Sequence, residues 1–295
     1  MAATRRAILT GDDLCAADVY CGDPPAGWTP LRAADVFGLV LVRTGVVRTR
    51  ADGVEQTMDP ASVYVERLGS EQQFAHPLGA DRYTELVPSE PLLASLLGGD
   101  PAVPAGLVFT TPAMALRHRL LCASADRGTG DPFSAAESAV ALIAAALAQL
   151  DARRVASGAP ATAAARRRLA DGAREALAAD PRLGLLALAA GLGCSPHHLS
   201  RVFRAATGAT LSRYRNRLRA ARALERLAAG ERDLGGLAAE LGFADQAHMT
   251  HVVRAESGLP PGRLRALLAP AAAVPRQARA PVRDRGGVTQ PQRPL

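Results

Sequence analysis

The sequence predicts an α+β chain of two domains. The N-terminal half reads as a small β-barrel with following helices, and the C-terminal half as an all-α domain with two helix-turn-helix units joined by a long helix. Three observations carry this. A two-helix pattern at 185–208 is written again at 234–258. Short β-branched runs broken by turns fill 35–90, with no helix-length period. Charge also divides between the halves. Residues 1–163 hold 13 Arg against 18 Asp plus Glu, a net −5, and 164–295 hold 22 Arg against 10, a net +12, which together make the chain's +7.

A chain of 295 residues at 48% hydrophobic can fill two cores. It has no Lys, so every basic residue is Arg. A basic half beside an acidic one points to a polyanionic partner for the basic half alone. Cys15, Cys21, Cys122 and Cys194 show neither a CxxC pair nor zinc spacing. The apolar run after Arg5 and Arg6 is too short for a secretory signal. The longest mainly apolar uncharged run, 138–150, is shorter than a bilayer span. The expectation is a cytoplasmic protein with reduced thiols and no membrane partner.

Taken in order, residues 1–35 are mixed, with Pro24, Pro25 and Gly27 marking loops and Cys21 and Trp28 on a first strand and its exit. Strands are expected over 37–43, 46–50, 62–66, 72–74 and 82–87, with a hairpin turn at Ala51-Asp52-Gly53. Residues 91–104 read as loop or short helix, and 113–125 and 135–154 as helices. In the latter, Ala139, Leu142, Ile143, Ala146 and Leu147 form an apolar stripe. The domain division is 1–155, a linker at 156–162, then 163–269, with a Pro-, Arg- and Gln-rich tail at 270–295 that has no apolar period and is expected to be disordered. A helix over 163–179 opens with Arg166, Arg167 and Arg168 and stops at Asp180-Pro181.

The repeat follows. Leu185, Leu188, Ala189 and Leu192 lie on one helical face and Gly193 ends the run; Leu234, Leu237, Ala238 and Leu241 repeat it before Gly242. A second stripe comes after each turn: Leu199, Val202, Phe203 and Ala206, then Met249, Val252 and Val253. Both copies close on Gly, at Gly208 and Gly258, and Ser195 and Asp245 stand at N-cap positions. Each copy is a helix-turn-helix unit. Opposite the apolar stripe, the second helix of the first copy carries His197, Ser200, Arg201 and Arg204. The second copy carries Gln246, Ala247, Thr250, His251 and Arg254 there. Most of these are donors, acceptors and cations that contact bases and phosphates in a major groove. Between the copies, 211–229 reads as a helix about 28 Å long, with Arg213, Arg215, Arg217, Arg219 and Arg222 between its apolar positions. That length is close to one turn of B-DNA, roughly 34 Å, so both second helices can enter successive major grooves. His248, one residue before Met249, reads as a structural or turn contact.

The segment from Gly193-Cys194-Ser195-Pro196-His197-His198 through Leu199-Ser200-Arg201-Val202-Phe203-Arg204 resembles the DNA-binding domain of the AraC/XylS family of bacterial transcription regulators. So, more strongly, does Gly242-Phe243-Ala244-Asp245-Gln246-Ala247-His248-Met249-Thr250-His251, with Arg254, Gly258, Pro261 and Arg265. Three positions depart from the family pattern. His251 stands where Arg is usual, and Met249 and Val253 stand where Phe is usual, which implies looser packing of the second unit. The resemblance implies His197, Ser200, Arg201, Gln246, Thr250 and His251 as base contacts, and Arg204 and Arg254 as phosphate contacts or structural groups. More weakly, 35–90 resembles the cupin-type sensor domain of such regulators, through Phe37-Gly38-Leu39-Val40-Leu41-Val42-Arg43, Asp52-Gly53, Asp59-Pro60 and His76-Pro77.

The resemblance implies double-stranded DNA as partner. RNA polymerase, a small-molecule effector in the N-terminal domain and a second copy of the chain are further partners it admits. The 135–154 stripe either makes that dimer contact or packs on its own barrel. No cofactor, metal or catalytic residue is expected. A cupin-type metalloenzyme with an accessory helical domain is the alternative. It would need about three ligands, and Cys21, Glu71 and His76 are the only set on offer. A basic protein that compacts nucleic acid without sequence preference is a third reading.

Overall fold

A computed structural model describes residues 3–97, 106–128, 131–154 and 160–269. The N-terminal part holds two antiparallel sheets. The larger has the order β1 (Ala3–Leu9), β2 (Leu14–Cys21), β9 (Asp81–Pro88), β4 (Gly38–Thr44), β7 (Ser62–Glu66), β10 (Gly106–Phe109). The smaller has the order β3 (Arg32–Ala33), β8 (Glu71–Ala75), β5 (Val47–Ala51), β6 (Val54–Met58). The sheet-rich unit expected of a cupin-like domain is therefore present, as two open sheets rather than one closed barrel. No ladder joins the sheets among the described residues. Side chains close the gap instead: Val40, Val42 and Tyr64 of one sheet and Val47, Ala51 and Met58 of the other share one buried cluster. The expected hairpin turns on Asp52 and Gly53 at φ +48° and +76°, the pair of positive φ values that a two-residue turn needs to match strand twist.

The first strand expected near Cys21 is β2, and the sheet begins still earlier, at residue 3. β2 is poor in β-branched residues, yet it pairs with β9 in unbroken register from Leu14↔Pro88 to Cys21↔Asp81. Ladder pairing and burial outweigh strand propensity here. α1 (Glu90–Leu96), α2 (Pro112–Arg127) and α3 (Pro132–Arg154) complete this part. The α3 stripe of Ala139, Leu142, Ile143, Ala146 and Leu147 is buried with Leu39, Leu41, Leu86 and Val108 of the larger sheet, so it packs on its own chain. By length and composition, 132–150 is apolar enough to cross a membrane, a longer stretch than the run at 138–150 suggests. In this fold its stripe covers a sheet.

Seven helices follow: α4 (Pro160–Ala179), α5 (Leu185–Gly191), α6 (Pro196–Thr207), α7 (Leu211–Ala228), α8 (Leu234–Glu240), α9 (Gln246–Ser257) and α10 (Pro261–Leu268). Of the expected linker at 156–162, residues 160–162 already belong to α4. The remainder, and the expected disordered tail at 270–295, lie outside the described residues.

The two parts share their cores. Leu177, Leu188, Leu199, Phe203 and Tyr214 of the helical part sit in one cluster with the sheet residues Val42, Val47 and Met58. Leu116, Leu120 and Ala123 of α2 pack with Leu237, Met249, Val252, Val253 and Leu264. Buried ion pairs run along the same seam. Arg43 donates to Asp18 Oδ1 at 3.1 Å and to Glu225 Oε1 at 3.0 Å. Arg119 donates to the other oxygen of Glu225 and to the Arg43 carbonyl at 3.2 Å. Burial alone would push the Glu225 carboxyl up, but the guanidinium groups of Arg119 and Arg43 outweigh it and hold the carboxyl below its usual range. Nearby, Arg174 Nε donates to Tyr214 Oη at 2.8 Å and to Asp59 Oδ2 at 3.1 Å, and Tyr214 Oη donates to the same carboxylate oxygen at 2.5 Å. Arg48 and Thr57 both donate to Glu175 Oε1, at 2.7 Å each.

Glu225→Gln leaves buried Arg119 without a carboxylate and Arg43 with Asp18 alone, so it is expected to cost about 3 kcal/mol at pH 7 by urea denaturation. Glu225 is held below its ordinary pKa, so its contribution is complete above the ordinary carboxylate range and is lost as pH falls through the lowered value. The gap between wild type and variant therefore narrows in acid. A gap that stays constant down to about pH 3 would mean that charge is not the source of the difference.

Candidate nucleic-acid interface

Both helix-turn-helix units form where the repeat places them, and the repeat extends to individual hydrogen bonds. Gly193 and Gly242 turn the chain at φ +63° and +75°, a backbone region that a side chain disfavours. The following N–H closes the same bond in each copy: Cys194 to Ala189 O at 3.1 Å, and Phe243 to Ala238 O at 2.9 Å. Ser195 Oγ then accepts from His198 N at 3.2 Å, and Asp245 Oδ1 from His248 N at 2.7 Å. These are the two N-caps that the sequence places. At the far ends, Thr207 Oγ1 donates to Phe203 O at 2.8 Å, and Ser257 Oγ to Val253 O at 2.6 Å.

Because the apolar stripe of each second helix is buried, apart from Ala206, which is exposed, the opposite face is turned outward. Leu199, Val202 and Phe203 are buried in α6, and Met249, Val252 and Val253 in α9. His197, Arg201 and Arg204 are exposed and Ser200 is half-buried. Gln246, Ala247, His251 and Arg254 are exposed and Thr250 is half-buried. All nine residues singled out from the sequence therefore reach the surface on two helices of matching construction. Among the described residues, Arg201, Arg204 and Arg254 have no acidic partner. His248 serves the turn, as its position suggests. Its Nδ1 accepts from Ala244 N at 3.4 Å, and its ring meets Phe243 edge-on at 5.4 Å between centroids.

One expectation changes. The looser second unit implied by Met249 and Val253 does not occur, because both side chains are fully buried and α2 supplies Leu116, Leu120 and Ala123 to the same core. Most Arg residues of α7 are engaged by neighbouring segments. Arg219 donates to Pro181 O at 3.0 Å, Arg215 to Leu183 O at 3.2 Å, and Arg222 to Ala178 O. Arg217 lies 3.6 Å from Glu256. These four hold carbonyls and a carboxylate of neighbouring segments. Burial, and then the charge of Arg215, push Arg219 down to about 10. Of the five, Arg213 is left exposed without a side-chain partner among the described residues.

The sheet part has a site of its own, a cavity of about 400 Å³ between the two sheets. Val40, Val47, Met58, Phe74 and Tyr83 line it, together with Cys21, His76, Glu66, Glu85 and Arg32. The candidate metal set does not assemble there. Cys21 and His76 share the cavity wall, but Glu71 is exposed elsewhere on β8. His76 is taken by Asp81.

Residues 188–266 match the family model described as a helix-turn-helix domain. These residues form an AraC-type helix-turn-helix domain. The match runs from the buried end of α5 into α10, so it takes in both units and the α7 helix between them. No curated protein matches the chain. Solved structures similar to it include ToxT from Vibrio cholerae O395, at 9% identity and TM-score 0.36, over 88% of this chain and 99% of that one. The C-terminal domain of AraT, a response regulator from Geobacillus stearothermophilus, is similar at 20% identity and TM-score 0.34, over 39% of this chain and 93% of that one. The cupin domain of Cnp3 from Schizosaccharomyces pombe is similar at 13% identity and TM-score 0.27, over 32% of this chain and 71% of that one. Likenesses of this size carry no argument about the AraC-type domain or the sheets before it.

Where the family pattern has Phe, Val253 of the AraC-type domain already touches a full core. Val253→Phe is therefore expected to overpack it, lowering stability by about 1–3 kcal/mol by chemical denaturation. A stabilised variant would show that α2 leaves room there.

Proposed function

We propose that this chain is a sequence-specific DNA-binding transcription regulator whose two recognition helices, α6 and α9, enter successive major grooves. One observation carries the reading: an AraC-type domain presents two helices of matching construction, each with its apolar face buried and its polar face outward. The spacing agrees. α7, 18 residues long, spans about 27 Å, against roughly 34 Å for a turn of B-DNA. His197, Ser200, Arg201, Gln246, Thr250 and His251 are assigned to base edges, with Ala247 on the same face. Arg204 and Arg254, one turn further along each helix, are assigned to phosphates. Residues 1–155 act as sensor with a small-molecule effector in the cavity between the sheets, and 163–269 as DNA reader. RNA polymerase and a second copy of the chain are further partners of such a regulator, and the cytoplasm is where its target lies. Binding and release of DNA require no chemistry, so no catalytic residue is assigned.

Fragments selected from random DNA should share a consensus, and the full chain should prefer it over unrelated duplex by about a thousandfold or more at fixed salt. Equal competition by any duplex would leave the compaction reading in place. Within the consensus, Arg201→Ala is expected to relax preference at one base pair, at a cost of about 1–3 kcal/mol. Arg254→Ala should instead weaken binding to every sequence alike and lower the salt slope by about 0.9. Exchanged behaviour of the two variants would reverse the assignments.

A further inference from the structure

The cavity between the sheets is apolar over most of its wall: Val40, Val47, Met58, Phe74 and Tyr83 supply side chains from five strands. Its volume, about 400 Å³, falls among small-molecule sites, roughly 300–1,000 Å³. Its polar groups differ in whether they are already satisfied. His76 is bound to Asp81. Glu85 is bound to Arg5 of β1, which neutralises it. Arg32 is exposed at the mouth and lies over the Phe74 ring at 5.8 Å, so water screens its charge.

Glu66 is the exception. It is 6% exposed, and its Oε1 accepts from Gln72 Nε2. Its Oε2 has no donor among the described residues, and the side chain is part of the cavity wall. On one side that oxygen faces Gly38, where even an added Cβ would lie 3.6 Å away, so no side chain covers it there. Burial pushes the Glu66 carboxyl up, against the Gln72 hydrogen bond. That is the cost of a charge lacking a partner. A buried carboxylate oxygen with one open side is met by a donor, best by a charged one.

We propose that the cavity binds a compact amphipathic amine, its ammonium group donating to Glu66 Oε2 and its apolar body lying against Val47, Met58, Phe74 and Tyr83. The aromatic walls favour the same sign of charge, since a ring face attracts a cation. An anionic ligand would set its charge beside Glu66 and leave only the solvated Arg32 to offset it. The inference deepens the effector reading above and rests on it only for the regulatory consequence of binding.

The test uses the full chain and three probes of one shape: phenethylamine, phenethyl alcohol and 3-phenylpropionate, titrated calorimetrically. The amine is expected to bind at least tenfold tighter than the alcohol, and the carboxylate least of all. Glu66→Gln should remove the amine's advantage while leaving the alcohol's affinity within twofold. Val47→Phe, which fills the apolar end and keeps Glu66, should abolish binding of both and so covers the case in which Glu66→Gln fails to fold. Tighter binding of the carboxylate, an amine affinity indifferent to Glu66→Gln in a folded variant, or no binding by any probe would overturn the proposal. Affinity for the selected DNA consensus is measured on the same samples. Loss of DNA preference with amine binding intact would sink the regulator reading alone, and the reverse would sink only the amine.

Discussion

Helix α7 belongs to two cores at once, and the arrangement of the molecule follows from that. Its apolar residues join the first helix-turn-helix unit through Tyr214 and Leu218 and the second through Leu224 and Leu227. Its polar residues are tied into the sheets. Tyr214 reaches Asp59, and Glu225 holds Arg43 and Arg119. A helix held at one end by a hydroxyl bonded to a buried carboxylate and at the other by a carboxylate between two guanidinium groups is costly to move, because breaking either tie leaves a buried ion short of a partner. The separation of the two recognition helices is thus set by a rod that the N-terminal part also grips.

The helical half was legible because its signals are local. A 3.6-residue apolar period, a left-handed Gly and a short polar cap suffice for each unit, and the chain writes them twice. The nine outward residues followed from the same period, since burying Leu199, Val202 and Phe203 leaves His197, Ser200, Arg201 and Arg204 no other face. What was not legible depends on distant partners. The sequence puts Cys21 on a first strand, but the extent of β2 comes from β9, which pairs with it along eight residues, and no run of β-branched side chains announces that. The burial of Arg43, at the end of the apolar run 37–43, is not written nearby. Its explanation, Glu225, lies 182 positions away. Arg215, Arg219 and Arg222 have the spacing of a solvated face, yet they donate to carbonyls at the end of α4 and just beyond it. Only the packed structure separates such an Arg from a free one.

The same contacts run from the cavity to the second reader. Tyr83 and Glu85 of β9 line the cavity, and Thr84 between them points the other way. Thr84 Oγ1 bonds His118 Nε2 at 2.7 Å and lies 3.4 Å from Cys122 Sγ, both on α2. Burial, then the charges of Arg119 and Arg43, hold His118 well below the ordinary imidazole range, so it stays neutral in this bond. One turn away, Leu116, Leu120 and Ala123 of α2 pack on α9 and its neighbours. A wall strand, a buried polar bond and one helix therefore separate the ligand cavity from the core under the second recognition helix. Such a chain of contacts transmits a signal only if one of its elements has two arrangements.

Charge separation in the C-terminal part is finer than the division between halves. Nearly every acidic group there that the structure describes is committed. Glu175 and Glu225 cross to Arg48, Arg43 and Arg119 of the sheets and α2. Asp171, Asp180, Glu231, Glu240 and Glu256 face Arg174, Arg182, Arg226 and Arg217. Asp233 and Asp245 cap helix N-termini. The carboxylates that could have neutralised Arg201, Arg204 and Arg254 are used elsewhere, several of them at the seam that holds the sheets against the helices. The interface to the N-terminal part thus does two things with one set of ion pairs. It fixes the spacing of the recognition helices, and it leaves their outward faces with positive charge that no carboxylate among the described residues offsets.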